Sequence, residues 1–208
     1  MQIDDAAVLL TGPDDAEDLL VLLHGRGADE HDLLPLAERL GVPDRVAALR
    51  GPVPWQGGRA WAAPTPNPLG DTDLVPAAEA VLAWLDRAAA GARRVRLLGF
   101  SQGAAVVLEL LRSAPNRFAS AVVLSGFVPG TAPSEALARR RPPVFSGHGA
   151  IDPVIPASAL GPTRAWLEAH TALEAHEYPM LGHGVSDEEL ADVAAFLARD
   201  PGGRDPAD

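Results

Sequence analysis

Ser101 stands between two glycines, Gly99 and Gly103, inside the run "LLGFSQGAAVVLELL" from Leu97 to Leu111. An apolar stretch precedes it and a helical pattern follows. The pentapeptide Gly99-Phe100-Ser101-Gln102-Gly103 therefore falls where a strand turns sharply into a helix. Such a turn forces the serine into a sparsely allowed backbone conformation and lifts its Oγ clear of the chain. Residues two positions away on either side must be small so that strand and helix can approach. Gln102 then opens the helix, where an unpaired N–H can face a developing oxyanion. The competing explanation is a serine that only caps the helix, with glycines marking a tight turn.

A hydroxyl is a weak nucleophile without a base. On strand–turn–helix scaffolds of this kind the partners follow in the order serine, acid, histidine, on turns after later strands. Asp152 meets that requirement in "VFSGHGAIDPVIP", a short strand pattern followed by a glycine-rich turn with one acid. Its other reading is a turn former ahead of Pro153. His183 meets it in "EYPMLGHGVSDEE", between the last strand pattern and the last helix. Of the remaining histidines, His170 and His176 fall inside element patterns, and His148 is read as support for the Asp152 loop. His31 precedes the serine and has no part in this order. The early turn "LLHGRGADEHD" supplies a second backbone donor, the Arg26 N–H, between two glycines. His24 is read as holding this turn through its ring. His24, Asp29, His31 and Asp32 match no zinc spacing, so no metal site is assigned.

Those turns need elements to carry them. Strands are predicted at Leu19–Leu23, Val46–Leu49, Val95–Leu98, Ala121–Leu124, Val144–Phe145 and Glu174–Tyr178. Several are apolar without alternation, as strands covered on both faces should be. Helices are predicted at Leu33–Leu40, Leu74–Ala90, Ala104–Ser113, Pro162–His170 and Asp187–Arg199, with Pro35 and Pro162 suited to first turns. Ser186 and Glu189 form a capping box for the last helix. This alternation argues for an α/β fold with a mainly parallel sheet. Gly51–Asp73 is rich in proline and glycine and too long for an ordinary connection, which marks it as a functional loop. Arg139–Pro143 reads as a surface turn. Residues 200–208 read as a frayed tail, leaving 1–199 as one domain.

Composition narrows the function further. A formal net charge of -11 repels phosphate backbones and anionic headgroups, so nucleic acid and membrane surfaces are poor partners. The absence of cysteine excludes disulfides, thiolate metal sites and a cysteine nucleophile. The opening "MQIDDAAVLL" lacks a basic n-region, and no apolar run spans a bilayer. A cytoplasmic protein without stable membrane insertion is expected.

The segments "LLHGRGAD", "RAW", "LLGFSQGAA", "HGAIDPVIP" and "LGHGVS", in that order, resemble the phospholipase/carboxylesterase family of α/β-hydrolases. That branch includes acyl-protein thioesterases and small bacterial carboxylesterases, and the resemblance spans nearly the whole chain. It implies a mainly parallel sheet with helices on both faces and no large cap. It implies catalysis by Ser101, Asp152 and His183, with an oxyanion hole from the backbone amides of Arg26 and Gln102. It also implies substrate contacts at Trp61 and Val154, although Trp55 and Trp61 read equally well as packing residues under the loop. The expected substrates are small carboxylic esters or thioesters, including lysophospholipids, handled without a metal or organic cofactor. A homodimer is a further family-based expectation. Dienelactone hydrolases are similar in fold but use the cysteine that this chain lacks. The rival readings are a non-catalytic ligand-binding protein on a hydrolase scaffold, and an acyltransferase or peptidase with the same triad.

Overall fold

The computed structural model describes residues 1–63, 65–67, 69, 72–130 and 132–199, so the expected tail lies outside the described residues. In chain order these form β1 (Leu9–Thr11), β2 (Asp18–Leu23), α1 (Leu34–Leu40), β3 (Arg45–Leu49), β4 (Val53–Trp55) and β5 (Gly58–Ala60). Then follow α2 (Val75–Ala88), β6 (Arg94–Phe100), α3 (Gln102–Ser113), β7 (Ala121–Leu124) and α4 (Glu135–Arg140). The chain continues through β8 (Pro143–Gly149), α5 (Ala157–His170), β9 (Ala172–Tyr178) and α6 (Asp187–Arg199). Seven strands make one sheet in the order β1-β3-β2-β6-β7-β8-β9. All its pairs are parallel except β1 with β3.

The central strands are apolar without alternation because alternate residues enter different cores. Val21, Leu23, Leu97 and Val123 face α2, α3, α4 and α5, meeting Val81, Leu85, Val107, Leu137 and Trp166. Leu20, Leu22, Leu98, Val122 and Phe145 face α1 and α6, meeting Leu40, Val193 and Phe196. Each such leucine or phenylalanine contributes about 1.5–3 kcal/mol on burial. Helices thus cover both faces of a mainly parallel sheet, the α/β-hydrolase arrangement. Among the described residues, the connections carry nothing beyond the crossover helices, the β4–β5 hairpin and the six-residue α4. A buried pair crosses the second layer: Arg96 of β6 grips Asp44 with two nitrogens and donates to the Leu197 carbonyl of α6 at 3.1 Å.

Several local expectations are corrected. The loop Gly51–Asp73 contains the β4–β5 hairpin, closed by Gln56 and Gly57 at φ 43° and 88°. Two left-handed residues in a two-residue turn match the twist of antiparallel strands. Arg139 and Arg140 belong to α4, whose first turn is capped by the Ser134 hydroxyl, and the chain leaves it at Arg141 with φ 45°. Pro162 lies inside α5 rather than at its start. Its ring leaves the Ser158 carbonyl without a donor, but both residues are exposed, so water satisfies that carbonyl at low cost. β1 was not expected; it is a three-residue, half-exposed edge strand.

Candidate active site

β6 ends at Phe100 and α3 begins at Gln102, leaving Ser101 alone to reverse the chain. It adopts φ 54° and ψ −117°, held by its N–H donating to the Leu124 carbonyl at 2.9 Å. The flanking glycines are sterically required. A Cβ on Gly99 would lie 2.6 Å from the Ala104 nitrogen, and one on Gly103 would overlap the Leu23 carbonyl.

Two later turns bring their side chains to this serine. The Ser101 hydroxyl lies 3.0 Å from His183 Nε2, and His183 Nδ1 lies 2.7 Å from Asp152 Oδ2. The other Asp152 oxygen accepts the Val154 and Ile155 amides at 2.7 and 3.0 Å. Burial alone would raise the Asp152 pKa. The Ile155 amide, the His183 N–H and the Val154 amide outweigh it and hold the carboxyl below its ordinary range. An ionised Asp152 accepts the proton on Nδ1, which leaves Nε2 free to accept from the serine hydroxyl. The Asp152 side chain is 1% exposed and that of His183 18%, so the imidazole alone reaches the solvent edge. The Phe100 ring packs against His183 with centroids 4.9 Å apart. The two turns are laced together by the Ile151 N–H donating to the Leu181 carbonyl at 3.2 Å.

The turn after β2 crosses directly over the nucleophile, because a Cβ on Gly25 would lie 3.6 Å from Ser101 Cβ. Arg26 follows it, and its guanidinium stacks over Trp55 at 5.3 Å. The β4–β5 hairpin docks against this turn: the Gly27 N–H donates to the Arg59 carbonyl and the Arg59 N–H to the Ala28 carbonyl, both at 2.8 Å. The Arg59 side chain in turn donates to the Gly51 and Pro52 carbonyls at 2.8 and 3.0 Å. His24 is buried, with Nδ1 2.7 Å from the Gly25 carbonyl while Nε2 accepts the Gly51 N–H at 3.0 Å. Burial lowers its pKa, partly offset by the Gly25 carbonyl and Asp32. A neutral ring with its proton on Nδ1 satisfies both bonds, the holding role expected for it.

Trp61 is fully buried. Its main-chain N–H donates to Gln102 Oε1 at 2.9 Å and its indole N–H to the His24 carbonyl at 2.8 Å. It lies behind the site with no surface facing solvent. Val154 lies beside Asp152 and is 47% exposed. His148 sits on β8 with Nε2 3.3 Å from Glu177, so backbone bonds rather than this ring support the Asp152 loop.

Asp29, Glu30 and His31 bring ligand-type atoms within 4.8 Å of one another. Arg50 already grips Glu30 and holds its pKa at about 2, and His31 Nδ1 lies 3.2 Å from Asp29, so the cluster is internally paired. Sequence reasoning missed the Gln102 side chain and the hairpin. The hairpin's signal was the Gln56-Gly57 pair flanked by Trp55 and Gly58; nothing local marks the Gln102 contact. Among the described residues no helix is long and apolar enough to cross a membrane.

Comparison with known proteins points the same way. A family profile described as phospholipase/carboxylesterase matches residues 77–200. Acyl-protein thioesterase 1 of Candida albicans is 35% identical over 107 residues, covering 48% of this chain and 46% of that protein. Carboxylesterase SOBER1 of Arabidopsis thaliana is 29% identical over 143 residues, covering 64% and 61%. The chain thus spans about half the length of the curated relatives it matches. The Bacillus cereus carboxylesterase structure superposes with a TM-score of 0.80 at 25% identity over 93% of each chain. The Mesorhizobium loti carboxylesterase gives 0.77 at 25% identity, covering 89% and 90%.

Proposed function

The chain belongs to the phospholipase/carboxylesterase family, and from that premise we propose that it is a serine hydrolase that cleaves carboxylic esters or thioesters through an acyl-enzyme. The observation that carries this reading is the continuous hydrogen-bonded line from Ser101 through His183 to Asp152, at 3.0 and 2.7 Å. His183 Nε2 takes the Ser101 proton as Oγ attacks the acyl carbon. Asp152 orients the ring and stabilises the imidazolium that results. The main-chain N–H groups of Arg26 and Gln102 meet the oxyanion; a single such donor is worth about 3 kcal/mol of transition-state stabilisation. His183 then protonates the leaving alcohol or thiol, and water repeats the cycle on the acyl-enzyme.

Short acyl groups suit a site with Ile151 and Val154 exposed beside Asp152. Acyl thioesters and lysophospholipids are the wider range of the proposal. The net charge of -11 favours small-molecule substrates over nucleic acid. The test is a fluorophosphonate probe with Ser101→Ala as control, followed by a chain-length series of nitrophenyl esters and acyl thioesters. Labelling of the wild type alone, with turnover, supports the proposal. A wild type that neither labels nor turns over any ester is a binding protein on this scaffold. Product analysis with competing alcohols and peptides separates hydrolysis from acyl transfer and amide cleavage.

A further inference from the structure

Oxyanion stabilisation works because the donors are aimed before substrate arrives. The two proposed donors lie on separate turns, Arg26 after β2 and Gln102 at the start of α3. Gln102 is aimed by its helix. Arg26 has no helix to aim it, and in a glycine-flanked turn the peptide plane depends on the bonds that hold its carbonyl.

The peptide unit that carries the Arg26 N–H also carries the Gly25 carbonyl. In a trans peptide these two groups point in opposite directions, and no cis bond occurs among the described residues. Whatever holds the Gly25 carbonyl therefore aims the Arg26 N–H. The Gly25 carbonyl accepts from His24 Nδ1 at 2.7 Å and from the Ala28 N–H, which closes the turn, at 3.2 Å. The ring can donate there because Nε2 is occupied as an acceptor of the Gly51 N–H, which fixes the tautomer. The His24 carbonyl is held in its turn by the Trp61 indole N–H, and the Trp61 main chain reaches the Gln102 side chain. Both tryptophan bonds lie in the fully buried interior, where an unmade hydrogen bond costs most.

We propose that His24 and Trp61 are positioning residues of the oxyanion hole: His24, together with the Ala28 amide, sets the peptide plane that aims the Arg26 N–H, and Trp61 holds the preceding His24–Gly25 peptide by its carbonyl and links it to the Gln102 side chain. The inference rests on the hydrolase reading above and adds a division of labour to it. Neither side chain touches substrate. Both act on transition-state charge alone, so their loss lowers kcat and leaves ground-state binding in place.

The test uses the full chain with two variants. His24→Phe keeps the ring volume and removes both ring bonds, and Trp61→Phe removes the indole donor while keeping its main-chain N–H. His24→Phe is expected to lose roughly 100-fold in kcat, the scale of one oxyanion donor. Trp61→Phe, acting at one remove, is expected to lose about tenfold, with KM within about threefold in both. Affinity for an alkyl boronic acid, which forms a tetrahedral anion on Ser101, must weaken in step with kcat/KM. Folded variants that keep wild-type kcat and boronate affinity overturn the inference. A measurement on the wild type covers variants that do not fold. Nitrogen NMR of the His24 ring is expected to show a neutral Nδ1–H tautomer, unchanged on boronate binding. An Nε2–H tautomer or an imidazolium at neutral pH overturns the proposal. Failure of the hydrolase reading looks different: the wild type itself would not label or turn over.

Discussion

Glu189 is the fully buried carboxylate of α6, and neither of its oxygens has a hydrogen-bond partner among the described residues. It fits because Gly147 of β8 has no side chain; a Cβ there would overlap the carboxyl. The groups around it offer no cation. Asp192 lies one turn on along α6, and it is itself engaged by the Tyr178 hydroxyl at 2.9 Å and by His176 Nδ1 at 3.5 Å, both from β9. Burial pushes the Glu189 pKa up to about 7 from 4.5; the Ser186 N–H, near the carboxyl without a formed hydrogen bond, offsets part of this and Asp192 adds to it. A gap of about 2.5 pH units is worth about 3 kcal/mol at 1.36 kcal/mol per unit.

The sign follows from where the proton is held more tightly. Below pH 4.5 the group is neutral in both the folded and the unfolded chain, and its contribution to stability is fully present. As pH rises from there, the unfolded chain ionises first and gains, so stability falls until the folded carboxyl ionises near pH 7. Glu189→Gln is neutral throughout and has no such slope. Urea unfolding followed by tryptophan fluorescence, at intervals from pH 4.5 to 8, reads the difference between wild type and variant. Groups common to both chains cancel. That difference should move by about 3 kcal/mol in favour of the variant across the window. A flat difference would refute the reasoning, because Glu189 would then be ionised or solvated in the folded chain.

Asp152→Asn keeps the size of the side chain but no longer fixes the proton on His183 Nδ1. It should cut kcat by roughly 10⁴ with little change in KM, measured on short-chain nitrophenyl esters. Asp44→Asn leaves Arg96 buried without its counter-charge and should cost about 3–5 kcal/mol in urea unfolding. Arg59→Ala removes the side-chain bonds to the Gly51 and Pro52 carbonyls and loosens the hairpin beneath the Arg26 turn. It should lower kcat while moving the unfolding midpoint little, because the hairpin lies outside the main sheet; kinetics and melting on the same preparation check both halves.

The hydrogen-bonded set Ser101, Asp152 and His183 was legible because each occupies a glycine-containing turn that follows a strand pattern, and that pattern is local. The central strands were legible for the same reason: the runs Leu19–Leu23 of β2, Leu97–Leu98 of β6 and Ala121–Leu124 of β7 are apolar without alternation, since both faces are covered. What stayed hidden depends on contacts between distant segments. Glu189 reads as a capping-box acid, and nothing near it in the sequence reveals that Gly147 leaves space for its carboxyl. Trp61 reads as an aromatic in a loop, and its two donors find partners just after β2 and on α3 that no spacing rule connects. Pro162 argued for a helix start, yet the first turn of α5 is exposed enough to absorb the lost bond. The three-residue strands of the hairpin are too short to carry a period.

These two kinds of feature divide the site by the source of its precision. Ser101, Asp152 and His183 sit beyond the ends of β6, β8 and β9, and their spacing is inherited from the parallel register of one sheet, with β6 and β8 largely buried and β9 paired to β8 at its edge. The Arg26 turn follows β2, and its orientation is set by the Ala28 N–H on the Gly25 carbonyl, by the bonds of the His24 ring and by a small docked hairpin. A perturbation of the first group is therefore felt in stability as well as in activity. A perturbation of the second is felt in the rate of the chemical step first, because its bonds aim a dipole and add little burial. Loss of turnover without loss of fold therefore separates a defect in the Arg26 turn, or in a reacting side chain itself, from a defect in the strands that carry Ser101, Asp152 and His183.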